Sequence, residues 1–546
     1  MDKAMNMGKT SATGSFQLLI GVVGSNVIMA VGTLILAALL SRDQLGLYSV
    51  AIYPSSIINF FRDWGVNSAL TKEIAQRRAT GGQEAEIHDL IVSGVVFEII
   101  SGALCALACF TIAGLIAAFL KMPNATALIS ISSIYIFAGA ISAAAGGIFV
   151  GFERMNLNSF TTILSAAVKT AVGPLLVVLG FGTLGATIAY AMYGVVGGGV
   201  GIALVYFLLF RPLAKKESCK YDIRTTIRPM LSYGLPLTLS NIMIGVFPLL
   251  FSIVMASIAG TALMGDYSAG VYFNVLLTFL VIPISTALFP AFAKVNPQKE
   301  PELLKRVFAS ATRYASVLIV PATVLIMALS SPMINTLWPN KFPNAPFILT
   351  LYVTVNLFVA IGNISLGALM TGLGETKRLM LQSFLSLAFC APLVSFLFIY
   401  SANLTPMTGI LIGIFGIVLS GSSLPGLIWG LTWVWKKYRI KVDLWSAVKI
   451  FAASTVAGLL TVLYLSFFRA SPLIQLVTGF FLFLLIYLVG APLLGAVNRG
   501  DIDNVRAMFS GLGVVSKLLE VPLKIMENPL KLRERINQPT KAHASQ

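Results

Sequence analysis

The chain has 546 residues, 57% hydrophobic and only 11% charged, with a mean hydropathy of +0.88 and a formal net charge of +17. A soluble domain carries roughly 25% charged residues, so this composition excludes a soluble globular protein and defines a polytopic membrane protein. Its apolar runs have the roughly 20-residue length a helix needs to cross a bilayer, which sets an all-α architecture against a barrel of alternating ten-residue strands.

In chain order, fourteen spans are predicted near 15–40, 46–70, 88–119, 126–150, 159–180, 183–210, 230–259, 266–292, 311–335, 346–371, 379–400, 406–435, 444–468 and 472–497. The first is too long for the apolar region of a cleaved signal peptide and reads as a retained helix. Basic residues orient the set, because cytoplasmic loops collect Lys and Arg. Thirty-one fall on one side, in the N-terminus, the loops 71–87, 151–158, 211–229, 293–313, 372–378 and 436–441, and the tail. Four fall on the other, Arg42, Lys121, Lys341 and Arg469, while Arg62, Lys169 and Lys449 lie in spans. Both termini are expected in the cytoplasm and the protein in the cell (plasma) membrane. The positive charge is then an orientation signal and an attraction to anionic lipid headgroups, and implies no nucleic acid. Glu302 to Ser310 and Ile502 to Met526 alternate apolar and charged residues at helical spacing and are expected to lie along the membrane surface.

Chemistry at membrane depth is sparse. Arg62 and Asp63 sit side by side in a spanning stretch, where charges normally face a protein interior or a watered cavity and mark a pathway. Asp63 shares a helical stripe with Ser56, Asn59 and Asn67. The alternative is an ion pair that only fixes packing. Glu98 and Lys169 lie at similar depth in spans 3 and 5, where pairing would lower the cost of both; a substrate role for Lys169 is the other reading. Asn26 and Asn241 sit mid-helix in spans 1 and 7, placed either to bond sugar hydroxyls or to glue helices together. Tyr272 and Asn274 in span 8 complete the candidates.

Enzymatic machinery is not in evidence. Cys105, Cys109, Cys219 and Cys390 make neither a disulfide framework nor a zinc spacing, and His88 and His543 are isolated. No phosphate-cradling P-loop appears. No catalytic residue, metal or cofactor is expected. A membrane glycosyltransferase or ligase would need acidic groups on external loops, and those loops are short, with Asp43 and Asp266 as their acids, in matching places that read as structural.

The chain repeats itself. Ser25-Asn26-Val27 recurs as Ser240-Asn241-Ile242, Gly46-Leu47-Tyr48 as Gly265-Asp266-Tyr267, and Gly151-Phe152-Glu153-Arg154 as Gly372-Leu373-Gly374-Glu375-Thr376-Lys377. Each copy holds six spans, an even number, so the copies point the same way, related by an axis along the membrane normal. The resulting division is an N-terminus (1–14), an N-lobe (15–210), a basic linker (211–229), a C-lobe (230–435), two extra helices (444–497) and a basic amphipathic tail (498–546).

Through Gly46-Leu47-Tyr48, Trp64-Gly65-Val66-Asn67-Ser68-Ala69-Leu70, Lys72-Glu73-Ile74-Ala75 and the six-plus-six-plus-two plan, the chain resembles the multidrug/oligosaccharidyl-lipid/polysaccharide (MOP) exporter superfamily. Within it, the chain resembles the polysaccharide (O-antigen type) lipid-linked oligosaccharide flippases. The resemblance implies a V-shaped, two-lobed molecule with a polar central cavity that alternates between membrane faces. Its cargo would be a polyprenyl-phosphate or polyprenyl-pyrophosphate-linked oligosaccharide, with the tail along helices 13 and 14 and glycosyltransferases or a polymerase of the same pathway as partners. The cavity candidates are Arg62 for phosphate, Asn26, Asn59, Asp63, Lys169, Asn241, Tyr272 and Asn274, with Glu98 and Asp63 for ion coupling. A lipid II flippase and a cation-coupled multidrug antiporter of the same superfamily are the rivals.

Overall fold

The computed structural model describes residues 2–80, 84–214, 223–293, 295–500, 502, 506, 520 and 523–531; the side chains of residues 2–20 and of Asn241, among others, lie outside that description. Every regular element among the described residues is helical. The α-helices are α1 (Asp2–Leu39), α2 (Arg42–Phe60), α3 (Val66–Thr80), α4 (Glu84–Phe119), α5 (Ala125–Gly151), α6 (Met155–Leu176), α7 (Gly182–Val205), α8 (Arg211–Ala214), α9 (Ile223–Tyr272) and α10 (Val275–Ala293). There follow α11 (Pro301–Ala328), α12 (Ser330–Leu337), α13 (Ala345–Tyr352), α14 (Asn363–Gly372), α15 (Thr376–Ile399), α16 (Pro406–Ser422), α17 (Leu424–Tyr438), α18 (Leu444–Phe467) and α19 (Pro472–Leu494).

Ten stretches among the described residues are long and apolar enough to cross a membrane, or eleven if the pair Ala345–Ile361 and Asn363–Gly372, bent by 56°, is one span. One of the ten, Met155–Leu213, holds 59 residues, about 90 Å of helix against a hydrocarbon core of roughly 30 Å. It is interrupted where Gly180 and Gly182 take φ of 93° and 49°.

Several expected elements are corrected. The span expected at 46–70 is two helices, because Trp64 and Gly65 take left-handed φ of 47° and 73° between α2 and α3. The stripe through Asn59, Asp63 and Asn67 is therefore not one helical face. Glu302 to Ser310 is not a surface helix but the first turns of α11, since Leu304 and Phe308 are buried with Phe292, Leu366 and Leu369. The spans expected at 346–371 and 406–435 are broken at Gly362 (φ 91°) and Ser423 (φ 50°). Most of Ile502 to Met526 lies outside the described residues, but Ile502, Leu523 and Met526 are buried in a cluster with Ala453, Phe483 and Tyr487 of α18 and α19.

The chain divides into two compact units, Met1–Val275 with Ser383–Gly421, and Leu276–Gln382 with Ser422–Gln546. In the first, α1 lies on α6, where the Thr170 hydroxyl donates to Ile28 O at 3.0 Å. Also in this unit, α2 crosses the last part of α9 at the two copies of the Gly-x-Tyr motif. A Cβ on Gly46 would lie 1.8 Å from Thr261 O, and one on Gly265 would lie 2.1 Å from Arg42 O. Each glycine thus meets the carbonyl four residues before the other, the reciprocity a two-fold relation between the copies requires. Arg42 grips the buried Asp266 through Nε–Oδ1 (2.7 Å) and Nη2–Oδ2 (2.6 Å), and Thr261 donates to Asp43 Oδ1 at 2.5 Å. Asp43 and Asp266 are thus both engaged in holding α2 against α9.

In the second unit α11 packs on α18, where the Tyr487 hydroxyl of α19 donates to Val317 O at 3.1 Å. Gly46→Ala must push two backbones apart, and overpacking of this kind costs about 1–3 kcal/mol. The check is thermal unfolding in detergent: Gly46→Ala should melt earlier than wild type, whereas an Ala at Gly114, where an added Cβ meets nothing within 4 Å, should not.

A cationic and aromatic candidate site

Ser41 caps α2 through a reciprocal pair with Gln44: Gln44 N donates to Ser41 Oγ at 3.2 Å, and Ser41 N donates to Gln44 Oε1 at 2.9 Å. The helix stops at Phe60 and α3 restarts at Val66, with Asp63 Oδ1 accepting from Asn67 N at 3.3 Å. The break is pinned from outside the segment. A Cβ on Gly65 would lie 2.2 Å from Gly234 O of α9, and one on Gly234 would lie 2.5 Å from Gly65 C. Irregular backbone at membrane depth is tolerated where protein re-satisfies its polar groups, and Ser101 Oγ of α4 donates to the freed Arg62 O at 3.0 Å.

That break aims Arg62 sideways into α4. Its guanidinium forms an ion pair with Glu98 and donates through Nε to Asn59 Oδ1 at 3.1 Å; Arg62 is 5% exposed and Glu98 0%. Asn67 Nδ2 joins the two carboxylates, donating to Glu98 Oε1 and Asp63 Oδ1 at 2.9 Å each. Asn59, Arg62, Asp63, Asn67 and Glu98 are thus one network. It joins two carboxyl groups, Glu98 directly and Asp63 through Asn67, to one guanidinium, so with both ionised it carries one excess negative charge. As it stands it suits a proton or a cation better than an anion.

Lys169 is not part of it. The expected Glu98–Lys169 pair does not form, because Arg62 holds Glu98. The half-buried ammonium of Lys169 on α6 lies over the rings of Tyr190 (5.4 Å) and Tyr193 (5.9 Å) on α7, with no carboxylate partner among the described residues. Tyr135 of α5 meets Tyr190 in a tilted contact with centroids 4.5 Å apart and lies 6.2 Å from Tyr193. The rings come together because α7 is glycine-rich on the side facing α5: added Cβ atoms on Gly197 and Gly198 would lie 2.7 Å from Ser142 Oγ and 2.6 Å from Ala138 O. The Tyr190 hydroxyl is within reach of Ser55 and Ser56 on α2, which ties the ring cluster to the helix that leads to Arg62.

The other candidates stand apart. Tyr272, at the end of α9, shares a 3.4 Å contact with Ser49 Oγ of α2, and Asn274 lies in the turn before α10. Asn26 is half-buried on α1, and the Asn241 side chain lies outside the described residues. The three tyrosines were missed from sequence. Their signal is Tyr190 and Tyr193 one helical turn apart in an otherwise apolar, glycine-rich span.

The sequence profile of the family described as Polysaccharide biosynthesis protein matches residues 11–296. No curated protein sequence matches the chain significantly. Among solved structures, the lipid II flippase MurJ in an inward closed conformation is similar at 14% identity, covering 87% of this chain and 97% of that one, with a TM-score of 0.68. An inward-facing multidrug resistance MATE family transporter of the MOP superfamily is similar at 17% identity, covering 76% and 95%, with a TM-score of 0.61. A MOP superfamily transporter from Pyrococcus furiosus, described as having a binding pocket of reverse polarity, is similar at 17%, covering 79% and 96%, with a TM-score of 0.54. The chain shares its fold with these transporters, and ten of its described helical stretches are long and apolar enough to cross a membrane. The chain belongs to the polysaccharide biosynthesis protein family.

Proposed function

We propose that the protein is a flippase that carries a polyprenyl-phosphate or polyprenyl-pyrophosphate-linked oligosaccharide from the cytoplasmic to the outer face by alternating access, for cell-surface polysaccharide or glycoprotein biosynthesis. The observation that carries this reading is Lys169, a cation at membrane depth whose ammonium meets ring faces and no carboxylate among the described residues. A charge so placed is costly unless a counter-charge arrives. An anionic lipid-linked glycan brings one, along with sugar faces that can lie on tyrosine rings and hydroxyls for the serines of α2.

The Arg62 network has the complementary task. Its excess carboxylate makes Glu98 and Asp63 the groups for ion coupling, with Arg62 reaching phosphate only when Glu98 lets go. Asn26, Asn241, Tyr272 and Asn274 extend the polar lining, and two lobes at 15–210 and 230–435 supply the moving bodies. The basic-residue asymmetry supports cytoplasmic termini in the cell membrane, and pathway glycosyltransferases or a polymerase are the partners this function implies.

The similarity to a lipid II flippase favours one second reading, in which the glycan is that of lipid II. Reconstituted vesicles separate the two. A fluorescent polyprenyl-pyrophosphate oligosaccharide should become inaccessible to an external glycosidase faster than in protein-free vesicles. If only lipid II moves, the second reading holds; if only an organic cation moves, the protein is an antiporter and the proposal fails.

A further inference from the structure

The second compact unit contains an apolar pocket of about 470 Å³ between the first turns of α11 and the chain that joins α17 to α18. Phe308 and Ile440 are buried at its back, while Trp435, Lys441 and Leu444 are exposed at its mouth. Lys441 ends a basic stretch, in which four of the six residues from 436 to 441 are Lys or Arg. Glu375 pairs with Lys437, but Lys436, Arg439 and Lys441 are exposed and no carboxylate pairs with them among the described residues. Arg439 takes a left-handed φ of 56° at the end of α17, where glycine or asparagine is the usual occupant. Close by, Trp445 is exposed with the Lys449 ammonium 5.2 Å from its ring centroid. Exposed tryptophans beside cations are the pattern of the headgroup level of a bilayer.

An apolar slot that opens under unpaired cations at headgroup level matches an amphiphile with an apolar chain and an anionic head. We propose that this pocket holds one acyl chain of an anionic phospholipid, with its phosphate on Lys441 and the neighbouring Lys436 and Arg439. The lipid is resident and is not cargo, and the site does not depend on the flippase reading. The chain's own tail is a poor occupant, because residues 498–546 carry an excess of basic side chains that the same cations repel.

The test is lipid retention measured by native mass spectrometry on protein equilibrated with equal amounts of phosphatidylglycerol and phosphatidylcholine. Wild type should retain phosphatidylglycerol in preference. Neutralising Lys436, Arg439 and Lys441 to Gln should lower that preference by about fivefold for each charge removed, the effect of one basic residue near an anionic lipid. Thr432→Trp, which fills the pocket from an exposed position, should lower retention of both lipids. Equal retention of the two lipids by wild type overturns the proposal without recourse to a variant. So does an unchanged preference in the Gln variant, or unchanged retention of both lipids by Thr432→Trp, with circular dichroism and elution volume confirming the fold of each. Displacement of phosphatidylglycerol by an equal amount of a polyprenyl phosphate also overturns it, since the pocket would then belong to a carried lipid's tail.

Discussion

Lys169→Gln is expected to lower translocation of the lipid-linked oligosaccharide roughly ten- to a hundredfold, the range that loss of one hydrogen bond to a charged group produces. The same change should leave the protein as stable as wild type or more so, because it removes a charge that, among the described residues, meets the rings of Tyr190 and Tyr193 and no carboxylate. Lys169→Arg keeps the charge and should keep most of the transport. The opposite pairing of effects, a lower melting temperature with normal transport, would make Lys169 a packing residue. Tyr193→Phe discriminates further: it preserves the ring face and should matter far less than Tyr193→Ala if sugar stacking is the tyrosine's part.

Arg62→Ala should destabilise the protein by about 3–5 kcal/mol, the cost of stranding a buried charge, because Glu98 is fully buried against it. The double change Arg62→Met with Glu98→Leu should recover most of that stability, since a buried pair can be replaced together by apolar residues of similar size. Stability is read from detergent unfolding, and transport from the vesicle assay under an imposed pH gradient. If the network couples an ion, the stable double variant should no longer respond to the gradient. A double variant no more stable than Arg62→Ala, or an Arg62→Ala protein as stable as wild type, would show that the pair does not hold the break between α2 and α3 together. An Arg62→Lys protein tests the phosphate role, because a Lys can pair with Glu98 but lacks the fork that grips phosphate with two parallel bonds.

The two experiments probe unlike environments that the sequence presents as alike. Arg62 and Lys169 are both cations in apolar spans, and hydropathy cannot rank them. Arg62 looks the better anion ligand from its side chain alone, and Glu98 the natural partner of Lys169 from depth alone. The structure exchanges these partners: Glu98 lies on Arg62, and Lys169 lies on tyrosines.

By itself the sequence determined the membrane class, most helix positions, the residues charged at depth and the doubled Gly-x-Tyr motif. These are local or periodic properties: apolar length fixes a spanning helix whatever surrounds it, and a repeated motif is visible without coordinates. Only the tertiary structure decided where the helices break and which groups meet. The break at residues 61–65 is set by Gly65 pressed on Gly234 from α9, and that break turns Arg62 toward a carboxylate 36 residues away. Glycines in α7 let it approach α5 closely enough to bring Tyr190 against Tyr135 beneath Lys169. Contacts of this kind depend on how two distant helices cross, and a single chain's hydropathy and spacing carry no record of the crossing.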